Sequence, residues 1–156
     1  MHFDYFSAPS DDLAVSMVDY GPVAAPANPN GTAQWDTVSV SGVEPSIQLL
    51  ELQELLTGVE FDEILDIPRA GDTLQTSVES EAMVVTITDA LQAVLADSKD
   101  DSLAGVAAEW ATSEEFGGAV EAAYLETFLH QLVGLARRAR ARGERLYCWV
   151  SFHAAT

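Results

Sequence analysis

The sequence predicts an α+β fold, with about four short strands in one mixed sheet packed against about five helices. Two observations carry this prediction. Residues 83–87 form a short β-branched run, which is typical of a strand core, and residues 125–139 repeat apolar side chains at the three- and four-residue spacing of an amphipathic helix. The chain of 156 residues is long enough for a substantial core, so we expect residues 1–156 to form a single domain.

The first third of the chain predicts two strands separated by a helix and a loop. Residues 2–6 and 35–40 alternate between two sets of side chains, as strands do. Between them, Ser10 followed by two aspartates is a helix N-cap signal, and this helix should end before Gly21. Residues 21–34 are rich in Pro, Asn, Gly and Ala, so we expect a flexible loop there.

The middle of the chain predicts a helix, a helical turn and a second loop. Pro45 suits the first turn of a helix, which continues to Thr57 with four leucines on one broad face and is ended by Gly58. Residues 60–66 are typical of a further short helical turn. Residues 68–80 carry a Gly-Asp pair and several hydroxyl side chains, so we expect a second flexible loop.

After strand 83–87 the sequence predicts two shorter helices, a long helix and a last strand. Thr88 caps the first helix, and the second starts at Ser102. The long helix carries its acids early and its arginines late, which matches the helix dipole, and Gly143 fits the left-handed position after its end. Residues 146–152 are apolar on both faces, so this strand should lie at the centre of the sheet.

Charge is divided unevenly along the chain. Residues 1–136 hold 24 acidic and only two basic residues, whereas residues 137–156 hold five arginines and one glutamate. The formal net charge is −18, and such a field repels nucleic acid and anionic membranes and favours cationic partners. Two interpretations stay open: a functional acidic face, or a compositional bias that includes adaptation to a salty cytosol.

The sequence contains no catalytic, cofactor or metal signature. It lacks a Gly-x-Ser-x-Gly motif, and Gly117-Gly118 lacks the longer glycine spacing and the lysine of a phosphate-binding loop. The three histidines are scattered, and the acidic runs lack the alternating ligands and central glycine of a calcium loop. We therefore predict no catalytic residue, no metal site and no cofactor.

Signals of cellular location favour the cytoplasm. The single cysteine, Cys148, has no partner for an internal disulfide and lies in an apolar run, so we expect a small buried hydrophobic residue. The first residues lack the basic and apolar regions of a secretory signal, and no apolar run approaches the ~20 residues of a membrane span. We expect a cytoplasmic protein that binds no membrane.

The leading functional hypothesis is a non-enzymatic interaction protein that neutralises a basic protein partner, as an immunity protein or antitoxin does. Dense carboxylates would steer such a partner quickly, and salt would weaken the effect. The candidate partner-binding residues form two acidic runs: Glu60, Asp62, Glu63 and Asp66, then Asp97, Asp100 and Asp101.

Other hypotheses stay open. One is a small-ligand-binding protein or hydrolase with a pocket under loop 21–34. Another is an oligomer in which the arginines near the C-terminus dock on the acidic face of a neighbour. We favour a simpler role for these arginines, which complement the helix dipole and pair with nearby acids. The chain is then a monomer or a homodimer.

Three parts of the sequence carry a family resemblance. They are His-Phe-Asp-Tyr-Phe at 2–6 with Ser-Asp-Asp at 10–12, Glu-Trp-Ala at 109–111 with Glu-Glu-Phe at 114–116, and Arg-Leu-Tyr-Cys-Trp at 145–149. These stretches resemble small acidic uncharacterised proteins of high-GC Gram-positive bacteria. The resemblance implies a bacterial single-domain protein and carries over no functional residue.

Overall fold

The computed structural model describes residues 1–24 and 35–152. These residues contain five strands: β1 His2–Ala8, β2 Thr37–Val40, β3 Thr73–Ser77, β4 Ala82–Thr86 and β5 Arg145–Ser151. They form one sheet in the order β2-β1-β5-β4-β3, and every neighbouring pair is antiparallel. The prediction of about four strands in a mixed sheet is therefore wrong in both number and direction.

The missed strand is β3, which lies inside the segment 68–80 that was expected to be a loop. Its side chains are exposed or half-buried, so they give no apolar alternation. The backbone nevertheless pairs with β4, from Thr73 opposite Val85 to Ser77 opposite Ala82. The helical segments between β1 and β2 and between β4 and β5 reverse the chain, and β2 and β3, which run in the same direction, lie at opposite edges of the sheet.

The described ranges also contain seven helices instead of the expected five. They are α1 Asp11–Val15, α2 Gly21–Ala24, α3 Gln48–Thr57, α4 Phe61–Leu65, α5 Asp89–Asp97, α6 Leu103–Trp110 and α7 Ala122–Arg142. Short 3₁₀ turns lie at Asp100–Ser102 and Glu114–Phe116. Of the loop expected at 21–34, residues 21–24 form α2, and residues 25–34 lie outside the described residues.

The long helix α7 covers one face of the sheet. The Tyr5 ring on β1 packs 5.5 Å from the Phe128 ring on α7, measured between centroids. Leu129 and Leu132 extend the same buried face, and each such side chain contributes ~1.5–3 kcal/mol by burial. The arginines near the C-terminal end of α7 are exposed, so this helix has one apolar face and one polar face. Within the part of the chain that the structure describes, no helix is both long and apolar enough to cross a lipid bilayer.

The opposite face of the sheet is covered by the first two helices. Phe6 and Tyr147 stack there, with ring centroids 5.6 Å apart, and Met17 packs against them. The indole N–H of Trp149 donates to the carbonyl of Val18 at 2.8 Å. Gly21 has φ +79°, and a Cβ at this position would lie 2.9 Å from the Trp149 ring. Glycine is therefore required both by backbone conformation and by space.

β5 lies at the centre of the sheet between β1 and β4. It pairs with β1 from His2 to Ala8 and with β4 from Ala82 to Thr86. Its side chains are buried on both faces of the sheet except at Arg145, which is exposed, and Trp149, which is half-buried, so the central position agrees with the prediction from the apolar sequence 146–152. The two layers of the core therefore meet at this strand, and the surface charges are carried by the helices and turns around it.

Candidate functional site

All six arginines form ion pairs inside the molecule. The pairs are Arg69–Asp11, Arg137–Asp100, Arg138–Asp36, Arg140–Asp97, Arg142–Asp36, Arg142–Glu144 and Arg145–Asp89. Five of these arginines lie at the C-terminal end of α7 or the start of β5. This confirms the interpretation that they pair with nearby acids, and it makes this end of the molecule internally compensated.

Asp36 lies between two of these arginines, Arg138 and Arg142. Arg138 binds both of its carboxylate oxygens, with Nε 2.7 Å from Oδ2 and Nη2 3.0 Å from Oδ1. Arg142 donates to Oδ2 at 3.1 Å. The hydrogen bond from Arg138 is the main reason why the pKa of Asp36 is lower than usual. Asp36 is thus held as a carboxylate and is already occupied by two guanidinium groups.

The structure splits the second acidic run between paired and unpaired carboxylates. Asp97 lies 2.8 Å from Nη1 of Arg140, and Asp100 lies 3.2 Å from Nη1 of Arg137. Asp101 is exposed in the 3₁₀ turn, and no ion pair joins it to another described residue. A cationic partner at this run would have to displace two arginines.

The first acidic run surrounds the short helix α4. Glu60 is its N-cap residue, Asp62 and Glu63 lie in its first turn, and Asp66 is its C-cap residue. All four side chains are exposed, and no Lys, Arg or His of the described residues forms an ion pair with them. The N–H of Phe61 donates to Oε2 of Glu54 on α3 at 2.9 Å. This bond joins the start of α4 to α3.

A group of glutamates from three separate segments lines an open groove next to this helix. Glu51 and Glu54 come from α3, Glu109 from α6, and Glu114 and Glu115 from the following 3₁₀ turn. The groove contains about 400 Å³ of space. We name it the glutamate groove. Within residues 1–24 and 35–152, no basic side chain forms an ion pair with any of its five glutamates.

Fixed hydrogen bonds position the walls of the glutamate groove. Trp110 is fully buried beneath it, and its indole N–H donates to the carbonyl of Gln48 at 3.0 Å, which joins α6 to α3. The hydroxyl of Ser113 lies 2.7 Å from both carboxylate oxygens of Glu51. The N–H of Glu115 donates to this hydroxyl at 3.2 Å. The glutamates are thus presented by a packed scaffold.

Glu51 is the member of the groove whose ionisation is disfavoured. Partial burial is the largest cause of its raised pKa, and the charges of Glu115 and Glu54 raise it further. The Ser113 hydroxyl acts in the opposite direction, because its hydrogen bond stabilises the carboxylate. A cation placed in the groove would offset the repulsion from Glu115 and Glu54 and stabilise the charged form of this carboxylate. The chemistry of the groove therefore favours a positively charged occupant.

Sequence reasoning missed most of this groove. Glu51 and Glu54 share a helix face at i and i+3, so their proximity is visible in the sequence. Glu109, Glu114 and Glu115 flank Trp110 in a segment without any site motif. The Trp110–Gln48 and Ser113–Glu51 contacts each join residues 62 positions apart. No local pattern encodes such contacts, and the only available signal was acids next to a tryptophan.

Two other polar clusters lack the geometry of a reactive site. His2 Nε2 lies 2.6 Å from Oδ1 of the buried Asp4, and the hydroxyl of Ser39 donates to the same oxygen at 2.5 Å. Ser39 thus bonds to the carboxylate and not to a histidine base. His130 lies 3.7 Å from Glu126 one turn away on α7. Among residues 1–24 and 35–152, no group of three or more His, Cys, Asp or Glu could hold a metal ion.

The hypothesis of a ligand pocket under loop 21–34 concerns residues that are largely undescribed. Only residues 21–24 of that loop are described, and they pack as α2 against the sheet.

Comparison with protein families, with curated proteins and with solved structures finds no match to this chain. Function is therefore inferred from the residues and the geometry of the glutamate groove.

Proposed function

We propose that this protein is a non-enzymatic, cytoplasmic interaction protein that binds a basic protein partner, in the manner of an immunity protein or antitoxin. The observation that carries the proposal is the glutamate groove, where five carboxylates, two half-buried and three exposed, have no cationic partner among the described residues. At the C-terminal end of α7, by contrast, arginines pair with Asp36, Asp97 and Asp100. Cys148 is free and buried, in keeping with a reducing compartment.

The electrostatics of the groove support binding rather than folding. Partial burial and, after it, the charges of Glu115 and Glu54 raise the pKa of Glu51, so the ionisation of this carboxyl group weakens the folded state. A partner that brings Lys or Arg side chains converts the repulsion into attraction. An uneven field of this kind also accelerates encounter with a basic partner, and the effect falls as salt is added. Nucleic acid would be repelled by the same field.

The two predicted acidic runs contribute differently to this proposal. Glu60, Asp62, Glu63 and Asp66 lie on and around α4, whose first residue donates to Glu54 of the glutamate groove. They have no cationic partner among the described residues, so we include them in the binding surface. Asp97 and Asp100 already contact arginines, and Asp101 stands alone beside them. We therefore expect this second run to contribute less to affinity than the first.

A charge-matched pair of variants tests the proposal. The probe is a fluorescent oligo-arginine peptide, and fluorescence anisotropy at low and high sodium chloride measures its affinity. Glu51→Gln with Glu109→Gln should weaken binding about tenfold. The control, Asp12→Asn with Glu79→Gln, removes the same charge from exposed sites outside the groove and should change affinity less than about threefold.

The outcomes separate a groove from a diffuse charge effect. Tight binding at low salt that weakens with salt and with the groove variant supports the proposal. No binding of the peptide at low salt contradicts it. An equal loss in both double variants also contradicts it, because net charge would then explain the affinity without a defined surface.

A further inference from the structure

A second groove adjoins the glutamate groove, and its lining is largely apolar. It contains about 700 Å³ of space between the loop after β2 and the start of α7. Phe116, Ala119, Val120 and Tyr124 supply its apolar surface. We name it the apolar groove.

Tyr124 holds the two sides of the apolar groove together. Its hydroxyl accepts from the N–H of Ser41 and donates to the carbonyl of Ser41, both at 3.0 Å. The hydroxyl is therefore satisfied, while 44% of the side chain stays exposed. An aromatic ring fixed at its polar end and open on its face suits contact with an apolar side chain.

Glu115 connects the two grooves, because it lines both of them. Its backbone is fixed by Gln48 on α3, whose Nε2 donates to the carbonyl of Glu115 at 3.2 Å. Glu121 lies at the apolar groove as well. Within the described ranges neither glutamate forms an ion pair. The apolar surface is thus bordered by unpaired negative charge.

We propose that the apolar groove receives an aromatic or large aliphatic side chain of the basic partner, and that adjacent basic residues of the same segment enter the glutamate groove. This inference rests on the proposed function and specifies the partner: one apolar anchor next to a run of Lys or Arg. Charge complementarity selects this occupant. A second copy of this chain in a two-fold symmetric contact would bring the same glutamates against each other, and its arginines are already paired with its own carboxylates. An anionic lipid surface would be repelled.

Two peptides test the anchor. Both are fluorescent oligo-arginine peptides of equal length, one ending in tryptophan and the other in alanine, and anisotropy at low salt gives their affinities. Wild-type protein should bind the tryptophan peptide about tenfold more tightly, because the indole ring is removed from water.

Two variants change the apolar groove itself. Ala119→Trp fills the groove from an exposed position, and Tyr124→Ser removes the tyrosine ring that lines it. Both variants should abolish the preference, whereas Ala93→Trp on the exposed side of α5 should keep it.

Each result has a defined meaning. If neither peptide binds the wild-type protein, the proposed function fails and the anchor fails with it. If both peptides bind equally and the Glu51→Gln, Glu109→Gln variant weakens both, the proposed function stands and the anchor is rejected. A tryptophan preference that survives in Ala119→Trp and in Tyr124→Ser rejects the anchor at this groove.

Discussion

At the scale of single residues, the raised pKa of Glu51 links the groove to stability. A carboxyl group with a higher pKa in the folded than in the unfolded state binds more protons when folded, so the free energy of unfolding falls as pH rises through that interval. Glu51→Gln removes this cost and leaves an amide oxygen to accept from Ser113. We expect the variant to be more stable at neutral pH by up to about 1 kcal/mol. Below the ordinary carboxyl pKa the gain should disappear.

Urea unfolding at neutral pH and at a pH below the ordinary carboxyl pKa measures the difference in stability between Glu51→Gln and the wild-type protein. Glu79→Gln is the matched control. Glu79 is exposed between β3 and β4, so its replacement lowers the net charge equally without touching the groove. An equal gain in both variants, or a Glu51→Gln gain that persists at low pH, would show that the burial of the Glu51 carboxylate and the charges beside it are not the cause.

At the scale of elements, two helix caps with the same chemistry differ in burial. The Thr88 hydroxyl accepts from the N–H of Leu91 at 3.0 Å and donates to the side chain of Gln53 on α3 at 2.9 Å, and both side chains are buried. Thr88→Ala should cost about 1–3 kcal/mol, because it also leaves the Gln53 oxygen without its donor. Ser10 caps the short helix α1 in solvent, so Ser10→Ala should cost about 0.5–1 kcal/mol. Equal costs in urea unfolding would contradict this reasoning.

The elements that the sequence could predict are those with a local pattern of side chains. The apolar spacing of α7 and the run of β4 are local, so both appear in the sequence. β3 was missed because its stability comes from pairing with β4 and not from its own exposed side chains. The α4 acids were found as a run, whereas the glutamate groove needs α3 and α6 to meet through Trp110. Contacts between distant segments decide the candidate site.

At the scale of the whole molecule, attraction and repulsion are spatially separated. The C-terminal end of α7 has carboxylates that its arginines neutralise, as in the Asp36 network. The glutamate groove and the α4 acids lack such partners within the described residues. Since the formal net charge is −18, screening acts mainly on repulsion. The molecule therefore has an internally compensated end and a surface that remains open to a cation.

This separation predicts how sodium chloride changes thermal stability. We expect the midpoint of unfolding to rise from low to physiological ionic strength, because screening weakens repulsion more than it weakens the arginine pairs. Glu51→Gln with Glu109→Gln should reduce the rise, since part of the repulsion is gone. Asp36→Asn should lower the midpoint at low salt and enlarge the rise, because it removes attraction that salt would otherwise weaken. Calorimetry on the three proteins measures this, and a midpoint that falls with salt would mean that the ion pairs outweigh the repulsion in the groove.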